Sequence, residues 1–500
     1  MMRQSVKTRL LVISDLHLGG SPATGDKPAF QMCTDAGRAH LVRFIEWAAR
    51  PDDIELDTRL VIAGDVVDFL AEEAGGGFLP FTVDDQQATD KLLSIFKSTG
   101  EVWEALRHFV ARGHALTVML GNHDLELSLP GPRHRLLDAL GPGRVEFIYD
   151  NQAFTLGPVL VEHGNRYDDW NAVPHDDLRE VRSRLSRGER AEFDALPGSR
   201  MVIDLVNPTK KTLSFVDLLK PEDATLLPFL ALLAPDRYAQ VVTTLKNRIR
   251  ALRVRYGADQ QPKDRNFIGA PVTDTPSPVA GNLGTGEATD DALLALADVA
   301  AAGGDPGMIS SGGSFLDRWV SKLAAGYRQQ QLDLLLKVLR ALHQTEERAF
   351  DVETENEIYL RPATEMARRG YEVIVYGHTH LAKRVRLAGR RTSDGSEILG
   401  SAVYLNSGTW ADLMALPSGI SAPEGSPAAL NARSRLATFA DDLATNRVEA
   451  WRRQLPTFVR VELDDAGRVT EAALEMLDDR DEVVSVTTKV LRERLAGGSA

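Results

Sequence analysis

Five short apolar runs, spread over most of the chain, each end in an aspartate, histidine or asparagine, and four of those ends carry a glycine beside the polar residue. Arg9-Leu10-Leu11-Val12-Ile13 runs into SDLHL, Leu60-Val61-Ile62-Ala63 into GDVVD, and Ala115 to Leu120 into GNHD. Val159-Leu160-Val161-Glu162 runs into HG, and Val373-Ile374-Val375-Tyr376 into GHTH. β-Branched and aromatic runs of this length read as buried strands, with glycine marking where the chain leaves the sheet. Because extended residues at i and i+2 project to one side, Asp15 with His17, and His378 with His380, are expected to point into one space beyond the strand ends. Ligands of open α/β sheets gather beyond the carboxyl ends of strands, so these groups can meet at one rim although long stretches of chain separate them.

Around the runs, helical periodicity alternates with strand signals. Asp35 to Arg50 carries Leu41, Phe44, Ile45 and Ala48 on one face, and Asp90 to Arg112 carries Leu92, Ile95, Phe96, Trp103 and Leu106. That alternation predicts a layered α/β architecture. After GHTH, strands are expected at Lys383–Leu387, Ala402–Asn406 and Thr457–Leu463, closing a second sheet. Between His163 and Tyr371 lie about two hundred residues, too many for a structureless loop. They read as mostly helical, with a leucine-dense stretch at 212–234, a basic pattern at 238–255 and an amphipathic pattern at 315–348. Pro/Gly/Ser/Thr-rich linkers interrupt them at 270–290 and 302–314. The organisation predicted is a core whose first part is 1–165, an insertion at 166–360, a second core part at 361–480 with a helical insertion at about 414–451, and a tail at 481–500.

A chain of 500 residues has ample material for a buried core and for two or three domains. Cys33 is the single cysteine, which excludes an internal disulfide framework and cysteine-rich zinc sites and favours a reducing compartment. The N-terminus lacks the apolar region of a secretory signal, and no stretch approaches a transmembrane span, so a cytoplasmic protein is expected. A formal charge of −13 argues against a broad nucleic-acid surface, which needs basic residues to replace phosphate counterions.

In order, DxH, GDxxD, GNHD, HG and GHTH resemble the signatures of the calcineurin-like metallophosphoesterase superfamily. The resemblance implies a two-sheet β-sandwich flanked by helices, here with a large, mostly helical cap insertion. It implies two divalent metal ions, with Asp15, His17 and His380 resembling the ligands of one and Asn122, His163 and His378 those of the other, and Asp65 bridging both. Mn²⁺ is the first expectation; Fe, Zn²⁺ and Co²⁺ suit the same sulfur-free donor set. A hydroxide bridging the metals would attack phosphorus, while His123 acts on the leaving oxygen and Asp124 orients it. Asp68 and Glu162 are expected behind the ligands or in turns, and Asn406 near the rim. Arg166 and Tyr167, just past His163, and Arg250 and Arg253, on one face of the basic stretch, are the substrate-contact candidates. A small phosphodiester, nucleotide or pyrophosphate is the expected substrate. The chain also looks like the bacterial UDP-diacylglucosamine pyrophosphatases, which usually have arginine in place of His123. A repair-type DNA exonuclease and a non-catalytic metal-binding scaffold are the alternatives, the latter opposed by the intact ligand set.

Overall fold

The computed structural model describes residues 7–21, 30–50, 56–74, 76–220, 228–229, 332–333, 335–336, 339, 349–398, 400–417, 419–420 and 426–496. Two compact units divide the chain: Met1–Asn207 with Phe350–Asp412 and Gln454–Ala500, and Pro208–Ala349 with Leu413–Arg453.

The first unit holds the five apolar runs. Its larger sheet contains, in spatial order, β14 (Val483–Ser485), β13 (Val469–Leu477), β12 (Thr457–Leu463), β1 (Lys7–Ile13), β2 (Leu56–Ala63), β5 (Ala115–Met119) and β6 (Arg144–Ile148). Its smaller sheet contains β10 (Lys383–Arg386), β11 (Val403–Asn406), β9 (Val373–Tyr376), β8 (Val159–Val161) and β7 (Phe154–Leu156). A short hairpin pairs β3 (Glu73–Ala74) with β4 (Gly77–Phe78). β1, β2, β5 and β6 run parallel, as do β8, β9 and β11. The fold is α/β, two mixed sheets flanked by helices, as the resemblance implies.

Helices α1 (Asp35–Ala48), α2 (Asp85–Ser98), α3 (Gly100–Ala111) and α4 (Pro130–Leu140) bury their apolar faces on the larger sheet, where Leu41, Phe44, Leu92, Leu106, Phe109 and Leu136 join Leu11, Ile13, Leu60, Ile62, Leu116 and Val118 in one core. On the smaller sheet, Tyr359, Leu360 and Ala363 of the helix Glu357–Arg368 pack with Ile374, Tyr376 and Tyr404. Each fully buried Leu, Ile or Phe contributes about 1.5–3 kcal/mol by leaving water, so these two cores hold the strand ends in place.

Three expectations are corrected. The helix expected at Asp90 to Arg112 is two helices, α2 and α3, separated at Thr99, whose backbone is non-helical at φ −130° and ψ 29°. Thr99 Oγ1 donates to Ile95 O at 2.7 Å and accepts from Trp103 Nε1 at 2.9 Å, so its side chain competes with the helical ladder just before Gly100. Thr457–Leu463 does not join the second sheet; it lies antiparallel to β1 in the first, with Val461 opposite Leu10. The beginning of the leucine-dense stretch, residues 213–219, forms buried turns, because Leu213, Phe215, Val216 and Leu219 reach the interior without helical backbone. The remainder of that stretch beyond Lys220, apart from 228–229, lies outside the described residues, as do both linkers, the basic pattern and most of 315–348.

In the second unit, Lys220 N donates to Met414 O at 2.9 Å and Met414 N to Leu218 O at 2.7 Å. The helix Pro427–Ala444 supplies Phe439, whose ring meets those of Phe229 and Trp451 at 5.3 and 4.8 Å. Among the described residues no helix is long and apolar enough to cross a membrane.

Candidate metal centre

Past the ends of β1 and β2 the two segments stay paired: Asp15 N donates to Gly64 O at 3.1 Å, His17 N to Asp65 O at 3.0 Å and Leu18 N to Val66 O at 3.0 Å. β2 and β5 are in register up to Ala63 and Met119, so Asp65 and Asn122 emerge side by side. In the smaller sheet Glu162 N donates to Val375 O at 3.0 Å and Gly377 N to His163 O at 2.8 Å, which holds the HG and GHTH exits together. The two rims are joined at Asp15, whose Oδ2 accepts from His378 N at 2.9 Å, and at Ser14, whose Oγ lies 2.7 Å from Ser407 Oγ.

The expectation that pleated backbone aims these residues is wrong. Both strands stop short of them, at Ile13 and Tyr376. Of the eight non-glycine residues with positive φ among the described residues, five are Asp15 (55°), His17 (45°), Asp65 (52°), His378 (71°) and His380 (62°). Left-handed backbone costs a non-glycine residue about 1–3 kcal/mol and persists only where the surroundings impose it, and here it collects at one site. The i, i+2 pairs converge because the chain curls at each of them.

Glycine at the exits supplies space. A Cβ on Gly121 would stand 2.1 Å from Asp65 Oδ1, and one on Gly377 would stand 2.7 Å from Asp15 Oδ2. Any larger residue would push a carboxylate out of the cluster.

Among the described residues three groups of ligand-type atoms result, each with its atoms within 4.8 Å of one another: Asp15, His17 and His380; Asp15, Asp65 and His163; and His17, Asp68 and His123. His17 Nε2 and His380 Nε2 face each other at 3.0 Å, and Asp15 Oδ1 is 3.3 Å from His380 Nε2. Asp65 Oδ2 lies between His163 Nε2 at 3.3 Å and His17 Nε2 at 3.8 Å. Asn122 Oδ1 is 3.2 Å from His163 Nε2, while His163 Nδ1 donates to Ala63 O at 2.7 Å. His378 falls in none of the three groups; its Nε2 is 3.1 Å from Asp168 Oδ2. Asp15, His17, Asp65, Asn122 and His163 are buried, and His380 is partly so.

The carboxylate against His123 is Asp68, not Asp124. Asp68 Oδ1 is 3.2 Å from His123 Nδ1 and its Oδ2 is 3.7 Å from His17 Nδ1. Asp124 accepts instead from Gly121 N at 2.7 Å and Val66 N at 2.8 Å, tying two loops together. Asn406 supports the GHTH turn by donating from Nδ2 to Gly377 O at 2.8 Å. Arg166 and Tyr167 both turn to Glu162, Nη1 at 2.6 Å and the hydroxyl at 2.7 Å. Arg250 and Arg253 lie outside the described residues. Asp168 was not singled out from sequence; only its place five residues past His163 hinted at it.

Electrostatically the cluster calls for positive charge. Burial opposes ionisation of Asp15 and Asp65, yet the neighbouring histidines hold both well below the usual carboxylate range. Burial likewise opposes charge on His123 and His163, but Asp68 and Asp65 push the first up to about 9 and Asp65 does the same for the second. Asp124, by contrast, is pushed up to about 8 by burial and by the charge of Asp65. Carboxylates that raise their histidines in this way set up a negative potential in which divalent cations are at home.

Residues 8–200 match the family described as calcineurin-like phosphoesterase. No curated protein matches the chain. The matched segment brings Asp15, His17, Asp65, Asn122, His123 and His163, and the smaller sheet carries His378 and His380 from beyond it to the same rim. With buried Asp/His groups suited to metal at the strand exits of a two-sheet fold, the match over residues 8–200 supports a calcineurin-like, metal-dependent phosphoesterase.

Proposed function

We propose that the chain is a dinuclear metal-dependent hydrolase of small phosphodiester, nucleotide or pyrophosphate-type substrates. The observation that carries this reading is Asp65, a carboxylate set between His17 on one side and His163 on the other. Asp15, His17 and His380 would hold one cation, Asn122, His163 and His378 the other, and Asp65 would serve both. The donors fit: Asp15 Oδ1 is buried without a hydrogen-bond partner, and His163, donating from Nδ1, turns the lone pair of Nε2 inward. Oxygen and nitrogen donors without sulfur suit Mn²⁺, Fe, Zn²⁺ and Co²⁺, with Mn²⁺ first by resemblance. When bound, such a pair polarises a phosphoryl oxygen and acidifies water.

The chain's own residues do the rest. His123 Nδ1 is occupied by Asp68, so Nε2 is the atom that carries a proton to the leaving oxygen. His123 N donates to Asp65 Oδ1 at 2.8 Å, which locks the proton donor to the shared carboxylate. The remaining substrate contacts are assigned on sequence grounds to the insertion, with Arg250 and Arg253 the candidates. A cytoplasmic setting accords with the lone Cys33.

The test assays the full chain with Mn²⁺ in parallel on phosphomonoester, phosphodiester, nucleotide-pyrophosphate and DNA substrates, with Asp65→Ala as control. Cleavage of one of the small classes, about two metal equivalents per chain and loss of both metals in Asp65→Ala are expected. Normal occupancy and activity in Asp65→Ala would remove the shared-carboxylate assignment. Release of mononucleotides from DNA ends alone replaces the reading with a nuclease, and inactivity with both metals bound replaces it with a scaffold.

A further inference from the structure

His163 and His378 follow the ends of different strands, and their rings meet edge to face with centroids 5.4 Å apart. His163 has an evident anchor in Ala63 O, but His378 sits on left-handed backbone and needs another. Its Nε2 is 3.1 Å from Asp168 Oδ2, a contact that spans 210 residues. That carboxylate is itself held: Asp168 Oδ1 accepts from Trp170 N at 2.9 Å, and Asp168 Oδ2 from Asn171 Nδ2 at 2.7 Å. Asn171 also faces Asn122, whose Nδ2 donates to Asn171 Oδ1 at 3.4 Å, and Asn165 Nδ2 closes the loop by donating to Asn171 O at 2.8 Å.

We propose that the segment from Asn165 to Asn171 is a positioning clamp for one of the two cation positions, in which Asp168 makes His378 present Nδ1 and Asn171 makes Asn122 present Oδ1. The proposal rests on the dinuclear reading and goes beyond it by naming what orients the ligands. An imidazole that donates from Nε2 leaves its lone pair on Nδ1, so His378 and His163 offer opposite nitrogens to the same space. An amide whose nitrogen end is taken by Asn171 turns its oxygen toward His163, as seen at 3.2 Å. His163 precedes the segment by only two residues, so the stretch 163–171 contributes one ligand and fixes two others drawn from the exits of two sheets. None of the contacts named above reaches the other position, around Asp15, His17 and His380.

Behind the clamp, Gly198 N donates to Trp170 O at 2.9 Å, and a Cβ on Gly198 would stand 2.1 Å from Asn171 Oδ1. Gly198→Ala therefore displaces Asn171 without changing any side chain of the site. Asp168→Asn keeps the shape and removes the carboxylate.

The test titrates Mn²⁺ into the metal-stripped full chain, reading bound equivalents and the electron paramagnetic resonance spectrum, in which a coupled ion pair differs from an isolated ion. Wild type should take up two ions and show coupling. Asp168→Asn should bind the first ion as wild type does and the second roughly 10–100-fold more weakly, leaving an isolated-ion spectrum where wild type is coupled; Gly198→Ala should shift the same step in the same direction by less. Two ions bound with wild-type affinity in both variants overturns the clamp, as does equal weakening of both ions, which would make the loop a support of the fold at large. A wild-type chain that binds a single ion removes the dinuclear reading and the clamp with it, before any variant is compared.

Discussion

Asp68 stands within reach of two histidines with different tasks, His123 at 3.2 Å and His17 at 3.7 Å, and Leu70 N also donates to it at 3.0 Å. A carboxylate fixed in this way holds the His123 ring with Nδ1 inward and keeps it charged enough to give up a proton from Nε2. His123→Ala should keep both metals and lose about 10²–10⁴-fold in turnover, with a smaller loss for substrates whose leaving group needs no proton. Asp68→Asn should move activity in the same direction by less. Steady-state rates on an alkyl and a nitrophenyl ester of the same phosphate check both; equal losses on the two would sink the proton-donor role. At this scale GNHD points to the proposed proton donor but not to its partner. Asp124 adjoins His123 in sequence, yet the turn after Asn122 sends it to Gly121 N and Val66 N, whereas Asp68 arrives from the neighbouring strand exit. Adjacency in sequence and adjacency at a rim are different things once strands run parallel. Asp168 was hidden for the same reason, since nothing in GNRYDDWN says that the loop folds back onto His378.

The strands were readable because four residues of continuous β-branched and aromatic sequence bounded by glycine have few other solutions, and β9 and β2 end within a residue of where periodicity puts them. How the exits aim their side chains was not readable, because pattern reports burial and not the sign of φ. Partner choice was also hidden: β12 alternates like any antiparallel strand, and long-range pairing put it beside β1. Its solvent-side chemistry has a consequence for stability. Arg460 on β12 makes a bidentate pair with Glu475 of β13, both bonds 2.8 Å, and also reaches Glu462 at 3.1 Å and Glu471 at 2.9 Å. The Glu475 side chain is only 4% exposed, so removing its partner strands a charge in a poorly solvated place. Arg460→Ala should cost about 3 kcal/mol, read from the urea midpoint of the unit that contains β12. Arg460→Met combined with Glu475→Leu should restore most of that, since the buried charge is then gone as well. A midpoint unmoved by Arg460→Ala would show the network to be a solvated surface one.

All the proposed ligands lie in one compact unit, although His17 and His380 are separated by 363 residues of chain. The unit is assembled from segments on either side of the long insertion, and its two sheets touch at the rim where Asp15 meets His378. Without cations that rim holds Asp15 and Asp65 buried close together, and Asp15 Oδ1 accepts no hydrogen bond. The neighbouring histidines already offset part of that charge, and cations that bind only the folded rim add further stability by mass action. At a free-metal concentration one hundred times the dissociation constant, each site adds about 2.7 kcal/mol. Scanning calorimetry of the full chain should therefore show the transition of this unit falling in temperature when a chelator is added and recovering with Mn²⁺, while the transition of the other unit stays where it is. The shift should be lost in Asp65→Ala, which already lacks the shared carboxylate. If chelation left the whole profile unchanged while the metals were demonstrably removed, the histidines and aspartates of the rim would be held by the two sheets alone, and the cations would be passengers of a site that folds without them.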